Sequence, residues 1–127
     1  MNKKILFIDD DVDDQDLFKA ALKAIGVPLK YEFASNGIEA LNSLEKQSNV
    51  DLIFLDLSMP ILNGFDTLRL LKQAENNIPV YILSTSTDKK DKDLCFQLGA
   101  NGFISKTSVF TELCDRLDEV MVSELQN

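Results

Sequence analysis

At 127 residues, with 45% hydrophobic and 27% charged side chains, the chain has the make-up of one globular domain able to bury a core. Its 13 Lys and Arg against 21 Asp and Glu leave a formal net charge of −8, which argues against a direct grip on a nucleic-acid backbone. No apolar run approaches the ~20 residues that cross a bilayer. The apolar stretch Ile5–Ile8 is ended by Asp9, Asp10 and Asp11, short of the ~7–15 residues of a secretory h-region. A cytoplasmic protein is expected, with neither nucleic acid nor membrane insertion among its interactions.

The absence of histidine excludes Ser–His–Asp hydrolysis, histidine acid–base chemistry and His-ligated zinc. Cys95 and Cys114 are too few for a zinc site or a disulfide framework, and both fall at apolar positions of helical patterns, where a thiol acts as a small hydrophobe. Chemistry is left to carboxylates, hydroxyls, lysine and a hard metal ion.

Lys4–Ile8 reads as a strand, followed by a helix over Asp13–Ile25 with Leu17, Phe18, Ala21, Leu22 and Ile25 at helical spacing. Gly26 and Pro28 end it. Leu29–Ala34 is a second strand, and Asn36 with Glu39 starts a helix whose inner face would carry Ile38, Leu41 and Leu44. A third strand spans Asp51–Leu55, a loop Asp56–Asn63, and a helix Gly64–Ala74 with Phe65, Leu68 and Leu71 inward. After Pro79 come a strand at Val80–Leu83, a helix at Asp88–Leu98 closed by Gly99, and a strand at Gly102–Ser105. Ser108 is placed to cap a last helix with Phe110, Leu113, Cys114, Leu117, Val120 and Met121 on one face. Five strand–helix repeats without a linker predict a single α/β domain over residues 1–127, doubly wound, its parallel sheet covered on both faces. A separate output domain is not expected.

In such sheets functional groups gather at the C-terminal ends of the strands. Those ends carry Asp9 and Asp10, Asp56, Ser84 and Lys106. Each has a plain alternative when taken singly. Asp11, Asp13, Asp14 and Asp16 read as solvated charge at a helix start, Ser84–Thr87 as a capping loop, and Lys106 as a surface lysine. The joint placement of three acids, a hydroxyl and a lysine on one rim is what points to chemistry.

With these residues in place, the chain resembles the receiver domains of two-component response regulators along its whole length. The resemblance is carried by Phe-Ile-Asp-Asp after strand one, by Leu-Asp-Leu-Ser-Met-Pro followed by Asn63–Gly64, by Leu-Ser on strand four and by Phe-Ile-Ser-Lys on strand five. The Leu-Ser-Thr-Ser stretch and the acidic first helix look like the phytochrome-associated single-domain type. The resemblance implies a flavodoxin-like, CheY-like (βα)5 fold with strand order 2-1-3-4-5. It implies that Asp56 accepts a phosphoryl group, and that Mg²⁺ is held by Asp9, Asp10, Asp56 and the backbone carbonyl of Ser58. Lys106 and Ser84 would contact the phosphoryl oxygens, and Phe103 would be the aromatic partner of Ser84 in a switch. Such a domain is a phosphoacceptor, an enzyme only toward its own phosphorylation and autodephosphorylation. Its partners would be a histidine kinase or phosphotransfer protein and, through the face of helix four, strand five and helix five, a target protein or a second copy.

The pattern departs from the family at three places: Thr107 where proline often follows the lysine, Asn63 for a frequent Asp, and Ser84 where threonine is common. None removes a catalytic group. Three clustered carboxylates should raise at least one proton affinity, and Ser58 and Ser86 are expected to border the phosphoryl group. Among rivals, a dehalogenase-like phosphatase needs an acid where Ser58 stands. A flavodoxin-like electron carrier needs a phosphate-cradling loop where the three acids lie. A scaffold that is never phosphorylated would leave the acid–hydroxyl–lysine set unexplained.

Overall fold

The computed structural model describes residues 3–26, 29–46, 49–57, 63–74, 77–86, 88–106 and 109–125. Within them run β1 (Lys3–Ile8), α1 (Val12–Ile25), β2 (Leu29–Ala34), α2 (Gly37–Lys46), β3 (Leu52–Asp56), α3 (Gly64–Ala74), β4 (Val80–Ser84), α4 (Lys89–Gln97), β5 (Gly102–Ser105) and α5 (Phe110–Leu125). The strands form one parallel sheet in the order β2-β1-β3-β4-β5. Every expected strand and helix is present. Asp56 and Ser84 prove to be the last residues of their strands, with Asp56 in register opposite Leu83. Asp88 and Leu98 prove to be caps of α4 rather than members.

The two-residue period of the strands divides the core in two. Leu6, Ile8, Ile53, Leu55 and Ile82 meet Ala40 and Leu44 of α2, Leu68 and Leu71 of α3, and Cys95 of α4. Ile5, Phe7, Leu52, Phe54 and Leu83 meet Phe18 and Ala21 of α1 and Leu113, Leu117 and Met121 of α5. Phe7 stacks on Phe18 with centroids 4.2 Å apart, and Phe54 meets Phe18 edge-on at 5.4 Å, which fixes α1 against the middle of the sheet. Three residues expected inward are not. Leu17, Ile38 and Phe110 are exposed, and Phe18, Ala40 and Leu113 take the sheet-facing positions of the same turns. Cys95 is buried and Cys114 half-buried, both as free thiols.

Local chemistry sets the helix ends. Asp11 Oδ1 accepts from the Asp13 N–H, and Gly26 closes α1 at φ 77°, a left-handed value that glycine adopts without strain. Asn36 Oδ1 accepts from the Glu39 N–H while Glu39 Oε1 accepts from the Ser35 N–H, a reciprocal cap one residue wider than the usual box. Asn63 Oδ1 accepts from the Asp66 N–H and so caps α3. Gly64 is required by closeness rather than by φ. A Cβ there would stand 2.4 Å from Leu57 Cα and 2.6 Å from the Asp56 carbonyl oxygen, so the start of α3 rests directly on the backbone that ends β3. Pro28, Thr87, Thr107 and the cap expected at Ser108 lie outside the described residues.

Candidate phosphoacceptor and metal site

Five side chains meet at the C-terminal end of the sheet. Asp9 follows β1, its N–H donating to the Ala34 carbonyl at 3.0 Å and its Oδ1 accepting from the Asp11 N–H at 3.0 Å. Gln15 Nε2 donates to the Asp9 carbonyl at 2.8 Å, which ties the first turn of α1 to the strand end. Asp56 ends the central β3 and is buried, whereas Asp10 is exposed. The carboxylate oxygens of Asp9, Asp10 and Asp56 lie within 4.8 Å of one another. Lys106 follows β5, its N–H donating to the Ser84 carbonyl at 2.7 Å, which fixes the lysine beside β4.

Lys106 Nζ reaches into the acids and contacts Asp9 Oδ2 at 3.2 Å, Asp56 Oδ1 at 3.1 Å and Asp14 Oδ2 at 2.7 Å. Burial alone would lower its proton affinity, but the Asp14 hydrogen bond and the charges of Asp9 and Asp56 outweigh it and push the ammonium above its ordinary value. Asp9 is raised as well, which for a carboxyl favours the neutral form. Burial first, and the nearby Asp56 charge after it, push it up to about 7 against the pull of the Asp11 N–H and Lys106. Crowding was therefore a sound expectation, although desolvation is the larger cause.

The donor set fits a hard divalent cation. Such ions take carboxylate and carbonyl oxygens and keep several waters, and the three carboxylates offer oxygens within 4.8 Å of one another. The Ser58 carbonyl, expected as a fourth ligand, lies outside the described residues.

Ser84 is buried on the same rim, its Oγ accepting from the Ser86 N–H at 3.0 Å. Ser86 does not offer its hydroxyl to the acids. Its Oγ donates to Asp91 Oδ2 at 2.7 Å and accepts from the Asp88 N–H at 3.1 Å, joining the end of β4 to the start of α4. Phe103 is half-buried on β5 and packs against the core cluster beneath α2, α3 and α4.

Asp14 is the residue that sequence reasoning passed over as solvated charge. Its signal was helical phase. It lies four residues before Phe18 and seven before Ala21, on the buried stripe of α1, whereas Asp13 and Asp16 are exposed. A cavity of about 560 Å³ opens beside it, bordered by Asp11, Asp14, Thr85 and Lys106 over an apolar floor that includes Phe7 and Phe18.

A family model of the response regulator receiver domain matches residues 5–118. The chain is 37% identical over 113 residues to hybrid signal transduction histidine kinase E of Dictyostelium discoideum, covering 84% of this chain and 7% of that protein. It is 33% identical over 118 residues to the CpxR transcriptional regulatory protein homolog of Haemophilus influenzae, covering 93% of this chain and 50% of that protein. The chain thus spans half or less of these curated relatives. Among solved structures, a phosphorylated cyanobacterial phytochrome response regulator, RcpA, superposes with a TM-score of 0.89 at 29% identity, over 99% of this chain and 96% of that one. The Mn²⁺-bound response regulator Rcp1 gives 0.83 at 26% identity, over 98% and 96%. Among the described residues, no helix is long and apolar enough to cross a membrane.

Proposed function

The chain belongs to the response regulator receiver family of two-component signalling, and on that premise we propose that it accepts a phosphoryl group on Asp56 and thereby switches a protein-binding surface. The observation that carries this is Lys106 Nζ 3.1 Å from Asp56 Oδ1, at the edge of three carboxylates whose oxygens lie within 4.8 Å of one another. A carboxylate oxygen of Asp56 attacks the phosphorus of a phosphohistidine, the P–N bond breaks, and the imidazole leaves. With no histidine in the chain, that donor belongs to another protein, a histidine kinase or phosphotransfer protein. Lys106 supplies positive charge to the phosphoryl oxygens as negative charge spreads over them. Asp9, Asp10 and Asp56, with the Ser58 carbonyl, would hold Mg²⁺, which when bound supplies the balancing charge on the metal side of the phosphoryl group. Reversal is hydrolysis, in which water attacks phosphorus and releases inorganic phosphate and the free Asp56 carboxylate. Catalysis is thus confined to the chain's own phosphorylation state.

Output follows from Ser84. Its hydroxyl gains a phosphoryl acceptor in one state only, the differential bond that a switch requires. Phe103, half-buried on the neighbouring strand, is the side chain free to respond, and the surface of α4, β5 and α5 is the one altered. A target protein or a second copy binds there, and the reading places the protein in the cytoplasm with its kinase. Acetyl phosphate with Mg²⁺ is expected to add one phosphoryl group by intact mass, and Asp56→Asn to abolish it; labelling that survives the substitution overturns the assignment.

A further inference from the structure

We infer that Asp14 is a positioning residue for Lys106, giving the ammonium a counter-charge of its own when a divalent cation takes the carboxylates that the lysine otherwise shares. The inference rests on the reading of Asp9, Asp10 and Asp56 as the cation's ligands.

Lys106 Nζ contacts two of those three acids, Asp9 at 3.2 Å and Asp56 at 3.1 Å. A cation entering the cluster draws on the same two carboxylates and repels the ammonium. The third contact resolves the conflict. Asp14 Oδ2 is the closest of the three, at 2.7 Å, and Asp14 stands outside the group of carboxylates that converge within 4.8 Å. Its side chain is also the most exposed of the three, at 30% against 0% for Asp9 and 7% for Asp56. The cavity bordered by Asp14 and Lys106 leaves the end of the lysine room to turn toward α1 without moving core side chains. Phe18, one turn further along α1 and stacked on Phe7, holds Asp14 at that wall. The lysine can therefore release Asp9 and Asp56 to the metal and still remain within reach of a phosphoryl group on Asp56. Without Asp14, metal and lysine compete for the same two side chains.

The test is Mn²⁺ binding by the full chain, read from the resonance of the free aqua ion at physiological ionic strength. Asp14→Asn is expected to weaken binding roughly three- to tenfold. Asp13→Asn removes the same charge from the same turn of α1, at an exposed position that makes no ion pair to Lys106 among the described contacts, and is expected to change binding less than about twofold. In a Lys106→Met background, where nothing competes with the metal, Asp14→Asn is expected to lose its effect. Melting in chelator checks that each variant folds, and Asp14→Glu, which keeps the charge, should recover most of the affinity if Asn disturbs the helix. Unchanged affinity in Asp14→Asn, equal losses in Asp13→Asn and Asp14→Asn, or an undiminished loss without Lys106 each overturns the inference while leaving the phosphoacceptor reading intact. Wild type that fails to bind Mn²⁺ overturns both the inference and the metal part of that reading.

Discussion

At the N-terminal end of the sheet, Lys72 Nζ donates to the Ile78 carbonyl and to Asn101 Oδ1, both at 3.1 Å, and the same Asn101 oxygen accepts from the Val80 N–H at 3.0 Å. Asp51 Oδ2 accepts from the Lys4 N–H at 2.9 Å nearby. At the C-terminal end, Lys106 Nζ is shared among three carboxylates. Both lysines are partly buried, yet burial among neutral partners lowers the proton affinity of Lys72, whereas acids raise that of Lys106. One end spends its polar side chains on backbone groups that the strands leave open, which fastens the sheet. The other gathers three carboxylates around one ammonium, and burial with the neighbouring Asp56 charge raises the proton affinity of Asp9.

Exchanging each lysine for methionine should separate the two ends most sharply. Lys106→Met is expected to slow phosphorylation by acetyl phosphate about 100-fold or more, the effect of losing one charge-stabilising donor. Lys72→Met should leave that rate within about twofold, since it removes two hydrogen bonds to neutral acceptors at the opposite end of the sheet from Asp56. Similar rates in the two variants, measured by intact mass over time, would erase the distinction. Asn101→Ala comes next. It strips partners from the Val80 N–H and from Lys72, and should cost about 2 kcal/mol in denaturant unfolding while leaving Mn²⁺ affinity unchanged.

Acid–base behaviour tests the other end. The folded protein keeps a proton on Asp9 up to about pH 7 that the unfolded chain releases near 3.8. Metal-free stability should therefore fall as pH rises through that interval and level off above it, with Lys106 charged throughout. Asp9→Asn should flatten the profile and stabilise the metal-free protein by about 1–3 kcal/mol at pH 8. A wild-type melting temperature in chelator that climbs from pH 5 to pH 8 would contradict this. The smallest effect is expected at Ser86→Ala, where the hydroxyl bonded to Asp91 and the Asp88 N–H is lost at the head of α4. Its cost should be about 0.5–1 kcal/mol by thermal melting.

The strands and most of the rim were legible because they obey short-range rules. Continuous apolar runs at Ile5–Ile8 and Leu52–Leu55 mark strands of a sheet covered on both faces, and strand ends place Asp9, Asp56, Ser84 and Lys106 on one rim. What escaped depends on where one element meets another. Asp14 and Asp13 are alike as residues in a first turn, and only the phase of α1 against β5 pairs one of them with Lys106. The hydrogen bonds of Ser86 to Asp91 and the Asp88 N–H likewise depend on how the chain turns into α4, which its place two residues past Ser84 does not tell. Ile38 and Phe110 fit the apolar stripes of their helices, yet Ala40 and Leu113 take the buried positions of those turns. Asn101 gave no sign of its part at the far end, since a carboxamide before a strand is compatible with any turn.

The contact at Gly64 has a mechanical consequence. With the Gly64 N–H donating to the Leu57 carbonyl at 2.9 Å and no room for a Cβ between them, the end of β3 and the head of α3 behave as one stiff piece. On the opposite flank of Asp56, Ser84 and Ser86 are joined to each other and to α4 by single hydrogen bonds through hydroxyl oxygens. If Asp56 takes a phosphoryl group as proposed, the α3 side offers it no space to give, whereas the α4 side is held by hydroxyl hydrogen bonds that can exchange partners.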